Sequence, residues 1–259
     1  MSNANNFIDT TAPGRKIDRG HYHPLTLVIR DIADAFSSLG FEIADGPEIE
    51  TEYYNFDALN VPKDHPARDM WDTFWLKEDG SGVKKLLRTH TSPVQIRYME
   101  THEPPIRIVV PGRSFRYEAT DATHEAQFHQ FEGLMIGETV SLASMKYILQ
   151  EFFSKLFQNE TKIRMRPSYF PFVEPGVEID CSCFKCAGKG CNICKNVGWI
   201  EIMGAGMVHP KVLEGVNIDP RKWKGFAFGG GIDRVAMLKY GIDDIRLLFN
   251  GDLRLVNQF

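Results

Sequence analysis

Every cysteine of this 259-residue chain lies between Cys181 and Cys194, a window of fourteen residues. Disulfide scaffolds spread their cysteines so that bridges join distant segments, and a cluster this local leaves most of the chain unstapled. The rest must fold on its own apolar core, in a reducing compartment, with the cysteines available for a local metal knot. Cys183-x2-Cys186 and Cys191-x2-Cys194, joined by Ala-Gly-Lys-Gly, give two chelating pairs of soft ligands. Four thiolates in paired knuckles read as tetrahedral structural zinc, and the glycines permit the tight return. Cys181 is an alternative ligand, and reduced free thiols are the alternative to a metal. A catalytic role is disfavoured, since four protein ligands leave no open position.

With 43% hydrophobic and 25% charged residues, the chain has the material for such a core. At about 150 residues per domain it makes one large domain or two small ones. A net charge of −4 excludes a wholly basic nucleic-acid glove, though not a local basic groove. No apolar run approaches the roughly 18 residues that span a bilayer. Met1 to Thr10 is polar and lacks the apolar stretch of a secretory signal. These features exclude the membrane and make the cytoplasm the expected compartment. Residues 1–20 read as a flexible tail or cloning remnant, with the folded domain over 21–259 and the cysteine-rich insertion at about 181–198.

His23-Pro24 opens a helix, because proline suits the first helical position. Leu25, Val28, Ile29, Ile32, Phe36 and Leu39 then recur at helical spacing until Gly40. Residues 41–51 look extended, interrupted by Gly46-Pro47. A second helix is expected from about Ser141 to Phe157, where Leu142, Met145, Leu149, Phe152 and Leu156 form one stripe. Between them, Ile106 to Val110 is β-prone and continues past Pro111-Gly112 through Arg113 to Tyr117. After the polar stretch Glu118 to Glu125, Phe128 to Ile136 reads as a second strand. Strand, polar loop, strand is an antiparallel hairpin. The fold class is α+β, an antiparallel β-sheet flanked by helices.

Side chains alternate across a strand, so Phe128, Gln130, Glu132 and Leu134 share one face. Gln130 and Glu132 between two apolar residues either face water or line a pocket whose ligand donates hydrogen bonds. Arg116 on the facing strand puts a cation near that surface. Further along, Lys224 to Arg234 carries a strand into a glycine cluster and on into a helix. No Gly-Lys-Ser/Thr follows, and the spacing fails the dinucleotide fingerprint. Arg234 in the first helical turn could hold an anion against the glycines. The alternative is a tight turn with a surface arginine. Between residues 84 and 116 there are seven Lys/Arg and two Glu, which marks either an anion site or a solvated face.

Five ordered strings then carry a family resemblance. They are Leu-Leu-Arg-Thr-His-Thr-Ser-Pro (86–93), Gly-Arg-Ser-Phe-Arg-Tyr-Glu (112–118), His-Gln-Phe-Glu-Gly (129–133), Tyr-Phe-Pro-Phe-Val-Glu-Pro-Gly (169–176) and Gly-Phe-Ala-Phe-Gly (225–229) leading to Arg234. They resemble class II aminoacyl-tRNA synthetases, and more closely the catalytic cores of bacterial phenylalanyl-tRNA synthetase alpha subunits, from about Pro13-Gly14-Arg15 to Phe259.

That resemblance implies activation of L-phenylalanine by ATP to an adenylate, release of pyrophosphate, and transfer to tRNA(Phe). It implies that Arg116 grips the α-phosphate region and Arg234 the far phosphates, with Glu118 and Phe128 also at the ATP. His90, Ser92, Gln95, Gln130 and Glu132 match positions that hold the amino acid and nucleotide, Glu132 pairing with the ammonium. Phe170 and Phe172, two apart on an extended segment, would form the phenyl pocket, where Ala227 and Gly229 leave room for the ring. Glu174 matches a carboxylate that binds Mg2+ jointly with a beta subunit. The family works as two alpha and two beta chains, and its alpha subunit normally begins with a coiled-coil arm that is not seen before residue 20.

Overall fold

The computed structural model describes residues 11, 14, 19–66, 68 and 72–259. The tail expected over 1–20 therefore lies almost wholly outside the described residues. From Pro24 onward the chain forms helices α1 (Pro24–Ser37), α2 (Glu52–Asn55), α3 (Pro93–Thr101), α4 (Leu142–Phe157), α5 (Pro210–Gly215), α6 (Ile232–Tyr240) and α7 (Leu253–Val256). The strands are β1 (Glu42–Ile43), β2 (Ile49–Thr51), β3 (Lys85–Leu87), β4 (Ile106–Phe115), β5 (Gln127–Gly137), β6 (Ile163–Phe170), β7 (Val173–Ser182), β8 (Trp199–Val208) and β9 (Lys224–Gly231).

Local chemistry sets the helix starts. His23 caps α1 by accepting the Leu25 N–H on Nδ1 at 3.2 Å, and Pro24 fills a position whose N–H needs no partner. Ser141 caps α4 by accepting the Ser144 N–H. Gly40, at φ +80°, follows α1 in the left-handed conformation that glycine adopts without a Cβ penalty.

Seven strands form one sheet in the order β1-β4-β5-β9-β8-β7-β6. Only β1 and β4 run parallel, and each other neighbouring pair is antiparallel. This is the α+β class expected. The hairpin of β4 and β5 forms with Glu132 opposite Val110 and Gln130 opposite Gly112. Pro111 interrupts nothing, because β1 reaches only as far as Val109 and β4 has one neighbouring strand from there on.

The sheet divides two cores. Behind it, α1, α4 and α6 enclose an aromatic cluster centred on Phe36, which is fully buried. Its ring lies 4.2 Å from Phe152 and 5.2 Å from Phe228, both nearly parallel. Truncating a ring in such a site to alanine typically costs about 3–5 kcal/mol. In front, α3, α5 and the segment following α2 cover a second apolar cluster that includes Leu59, Val94, Val110, Leu134 and Ala227. A cavity opens between this cover and the middle of the sheet.

The glycine-rich segment is the first departure from the sequence reading. Gly229, Gly230 and Gly231 are neither a loop nor a tight turn. They complete β9: all three pair with β5, Gly229 and Gly230 also pair with β8, and the strand passes directly into α6. Both flanking strands lie close, so main-chain pairing takes up the groups that a phosphate loop would aim at a ligand. Among the described residues, no helix is long and apolar enough to cross a membrane.

Candidate active site

The cavity has a volume of about 180 Å3 and rests on β5 and β9. Strand alternation supplies its floor: Gln130, Glu132 and Leu134 of β5 point into it, while Phe131 between them belongs to the core behind. Ala227 and Gly229 extend the floor along β9. His90, Ser92 and Gln95 come from the segment that leads into α3, Arg116 from just beyond β4, and Phe170 and Phe172 from the connection of β6 to β7. Ten residues expected at the site from sequence thus share one cavity.

Glu132 is its electrostatic centre. The side chain is buried and accepts three hydrogen bonds: Thr91 N–H to Oε1 at 3.1 Å, and Ser92 Oγ and Gln95 Nε2 to Oε2 at 2.5 and 3.1 Å. Burial pushes its carboxyl up from the ordinary range, and the Ser92 and Thr91 hydrogen bonds work against that rise. An ionised carboxylate has about four acceptor sites. Two donors occupy Oε2 and one occupies Oε1, which leaves one acceptor site on Oε1 for a cationic ligand group.

Arg116 stands at another part of the wall. It is half-buried, its guanidinium lies 5.0 Å from the Phe128 ring centre, and Nε donates to Thr89 O at 3.3 Å. No other hydrogen bond of its side chain appears among the described residues, so the terminal fork can serve an anion. Burial draws this guanidinium below its usual pKa, while Glu118 and then Glu132 raise it. Phe128 is thus the platform under the guanidinium, outside the cavity lining, and Glu118 is a neighbour of Arg116.

Arg234 is also outside the lining. It is exposed on the first turn of α6, where Nε donates to Glu201 O at 3.2 Å. It nonetheless belongs to the same end of the sheet, since β4 ends at Phe115, β5 begins at Gln127 and β9 ends at Gly231. Asp233 fixes that corner by accepting the His129 N–H at 2.5 Å. Glu174 points to solvent on β7, 3.3 Å from His209 Nε2. It supplies one carboxylate, at most part of a metal site.

Two details correct the sequence reading. Phe170 and Phe172 do not share one extended segment: Phe170 ends β6, Pro171 and Phe172 form a turn, and Val173 begins β7. Both rings still reach the cavity, 6.0 Å apart and inclined by 24°. Gly229 lines the cavity, but the space left by its missing side chain is taken first by Glu132, whose Cγ would lie 2.6 Å from an added Cβ. Gly204 plays the corresponding part for the aromatic wall, where a Cβ would meet Phe170 Cζ at 2.8 Å.

Other contributors were not legible beforehand. Leu59, Met99 and Val212 complete the apolar lining from distant segments. Arg88 is fully buried and holds the approach to α3 by donating to Arg113 O at 2.7 Å, Gly46 O at 3.1 Å and Pro47 O at 3.3 Å. Its place in the string 86–93 was the available signal. The carbonyls that it serves come from other segments, which spacing does not reveal.

The cysteines form a separate constellation at the end of β7 and β8. Sγ atoms of Cys183 and Cys191, Cys186 and Cys194, and Cys191 and Cys194 are 3.7, 3.7 and 3.8 Å apart, and all four lie within 4.8 Å of one another. A tetrahedron with Zn–S of about 2.3 Å has S–S edges of about 3.8 Å. Backbone N–H groups of Gly190, Cys191 and Gly198 donate to these sulfurs at 3.1, 3.1 and 3.2 Å, as suits thiolates. Cys181 takes no part, being buried in β7 opposite Ile163 and Ile200.

The comparisons agree with this geometry. The family model for the tRNA synthetases class II core domain (F) matches residues 7–259. The phenylalanine–tRNA ligase alpha subunit of Streptococcus agalactiae serotype Ia is 56% identical over 255 residues, 97% of this chain and 72% of that protein. The same-named subunit of Caldanaerobacter subterraneus subsp. tengcongensis is 55% identical over 253 residues, 98% and 73% of the two chains. Among solved structures, pyrrolysyl-tRNA synthetase from Desulfitobacterium hafniense superposes with a TM-score of 0.62 at 19% identity, over 88% of this chain and 74% of the other, a likeness of fold.

Burial and the Arg116 charge push the His90 imidazole down to about 3, so it serves the site as a neutral ring. Its folded pKa is depressed, so the associated stability is present above about pH 6.5 and is lost as pH falls toward 3. From pH 7 to pH 5, urea unfolding of the wild type should lose up to about 2 kcal/mol that His90→Gln does not lose. An identical pH dependence in the two proteins would contradict a neutral buried His90. With cavity, carboxylate and guanidinium in register with its signature strings, the chain belongs to the phenylalanine–tRNA ligase alpha-subunit family of class II synthetase cores.

Proposed function

We propose that this chain is the catalytic core that activates L-phenylalanine with ATP and passes it to tRNA(Phe), in an assembly with a beta subunit. The observation that carries the reading is the remaining acceptor site on buried Glu132, set in an apolar cavity with a guanidinium at another wall. The ammonium of phenylalanine would take that site on Oε1, while its ring lies against Phe170 and Phe172 above Ala227. Phe170 and Phe172 lie against each other at 6.0 Å, so the substrate ring would meet them offset or edge-on.

In the first step a carboxylate oxygen of phenylalanine attacks the α-phosphorus of ATP, and pyrophosphate leaves. Both reactants are anionic at the point of contact, so the chain contributes positioning and positive charge more than proton transfer. Arg116 would hold the α-phosphate, and Arg234 the far phosphates beyond the cavity rim. Guanidinium forks match phosphate geometry, which a lysine would not reproduce. In the second step a ribose hydroxyl of the tRNA attacks the carbonyl, and AMP leaves. His90, held neutral, can orient polar groups without adding a charge that competes with Arg116.

Mg2+ neutralises polyphosphate charge when bound. It keeps several waters and needs few carboxylates, so exposed Glu174 suits a site completed by the beta subunit. The four thiolates would hold zinc as a structural ion, and the edge lengths support that assignment. Two chains of each kind would form the working particle.

Phenylalanine-dependent exchange of pyrophosphate into ATP tests the reading, with and without a beta subunit. Phenylalanine should support exchange and tyrosine should not approach it, and Ala227→Gly should extend activity to para-substituted phenylalanines by opening the floor under the ring. Equal exchange with tyrosine, or an unchanged preference in Ala227→Gly, would contradict the pocket assignment.

Protein purified without added metal should carry close to one zinc per chain. Replacing Cys186 and Cys191 together by serine should abolish it, whereas Cys181→Ser should not. Zinc-free wild-type protein of full stability would refute the structural role.

A further inference from the structure

We propose that Asn60 is a positioning residue for phenylalanine recognition, acting through the turn that carries Phe170 and Phe172. The inference rests on the reading of that pocket as the phenylalanine site. A hairpin tip is normally fixed by the ladder beneath it. Here the ladder is irregular on both sides: register shifts fall between Ser168 and Phe170 in the pairing of β6 with β7, and between Val173 and Gly176 in the pairing of β7 with β8. The aromatic wall therefore stands on the least regular part of the sheet.

Ties from outside the hairpin hold it instead. Asn60 Nδ2 donates to Pro171 O at 2.7 Å, across 111 residues of sequence. His65 Nε2 lies 3.2 Å from Tyr169 Oη, with the rings stacked at 6.1 Å. His209 N–H donates to Phe172 O at 2.9 Å. Phe170 is thus bracketed at Tyr169 and Pro171 by one strap, residues 60–65, and Phe172 is fixed by the start of α5.

The strap is itself fixed. Leu59 beside Asn60 lines the cavity. Arg68 donates twice to Val61 O, at 3.0 and 2.8 Å, and pairs with Glu52 and Asp57 at 2.7 and 2.6 Å. Asn60 has φ +58°, a left-handed conformation that asparagine tolerates better than most residues. The position thus demands two things, a left-handed backbone and an amide donor. Pro171 O can only accept, so an acceptor in place of the amide would repel it.

Two substitutions separate these demands. Asn60→Gly keeps the backbone and removes the donor. Asn60→Asp keeps the shape and replaces the donor with an acceptor. Both are measured in pyrophosphate exchange by the alpha–beta assembly. The KM for phenylalanine should rise about three- to tenfold, the effect of one lost hydrogen bond. Asp should be at least as severe as Gly, the KM for ATP should stay within twofold, and the preference for phenylalanine over tyrosine should narrow. If Asn60→Asp does not fold, Asn60→Gly decides alone. A phenylalanine KM within twofold of wild type, or equal rises for phenylalanine and ATP, overturns the positioning role. A wild-type protein without phenylalanine-dependent exchange overturns the substrate reading and this inference with it, and so is distinguishable from failure of Asn60 alone.

Discussion

One buried carboxylate organises this protein. Glu132 lies in the middle of the sheet, where an isolated charge would be costly to desolvate, and it persists there because three donors converge on it. All three come from the first residues of α3 and the segment before it, so one side chain ties that segment to β5. The segment in turn carries His90, Ser92 and Gln95 into the cavity and leaves Arg88 to anchor its approach. Removing the carboxylate would free the cover as well as the site. Its unfilled acceptor position is what makes this structural knot also a ligand contact.

The sheet makes such a site affordable in packing terms because its two faces do different things. Behind β5 and β9, Phe131 and Phe228 join Phe36 and Phe152 in a close aromatic cluster that carries much of the apolar burial. The front face can then hold polar groups and a cavity without leaving the domain short of a core. Small residues on the neighbouring strands complete the arrangement. Gly229 leaves space for the Glu132 stem and Gly204 lets the Phe170 ring lie close to β8, so two glycines shape the cleft by what they omit.

What the sequence revealed follows from the range of the interaction involved. The start of α1 at Pro24, the start of α4 near Ser141 and the shared face of Gln130 and Glu132 depend on neighbours a few residues away, and all three are found in the fold. Nine of the ten cavity residues matched by family resemblance lie in five separate strings, and Gln95 stands two residues beyond the first; their meeting depends on sheet order, which periodicity alone does not supply. Where the reading failed, a contact across the sheet had decided the outcome. The glycines after Phe228 become strand because β5 and β8 flank them. Phe172 enters a turn because β6 must reverse into β7. The tie from Asn60 to Pro171 spans segments with no shared sequence pattern.

The central claim is that Glu132 reads an ammonium beside a ring-shaped apolar cleft. Calorimetric titration of the wild-type chain with phenylalanine and with 3-phenylpropionate, which keeps the ring and carboxylate but lacks the amine, tests it most directly. Loss of one charge-assisted hydrogen bond should weaken binding of the amine-free analogue by about 10- to 150-fold. Equal affinities would show that Glu132 makes no contact with the ammonium, and the account would be wrong at its centre.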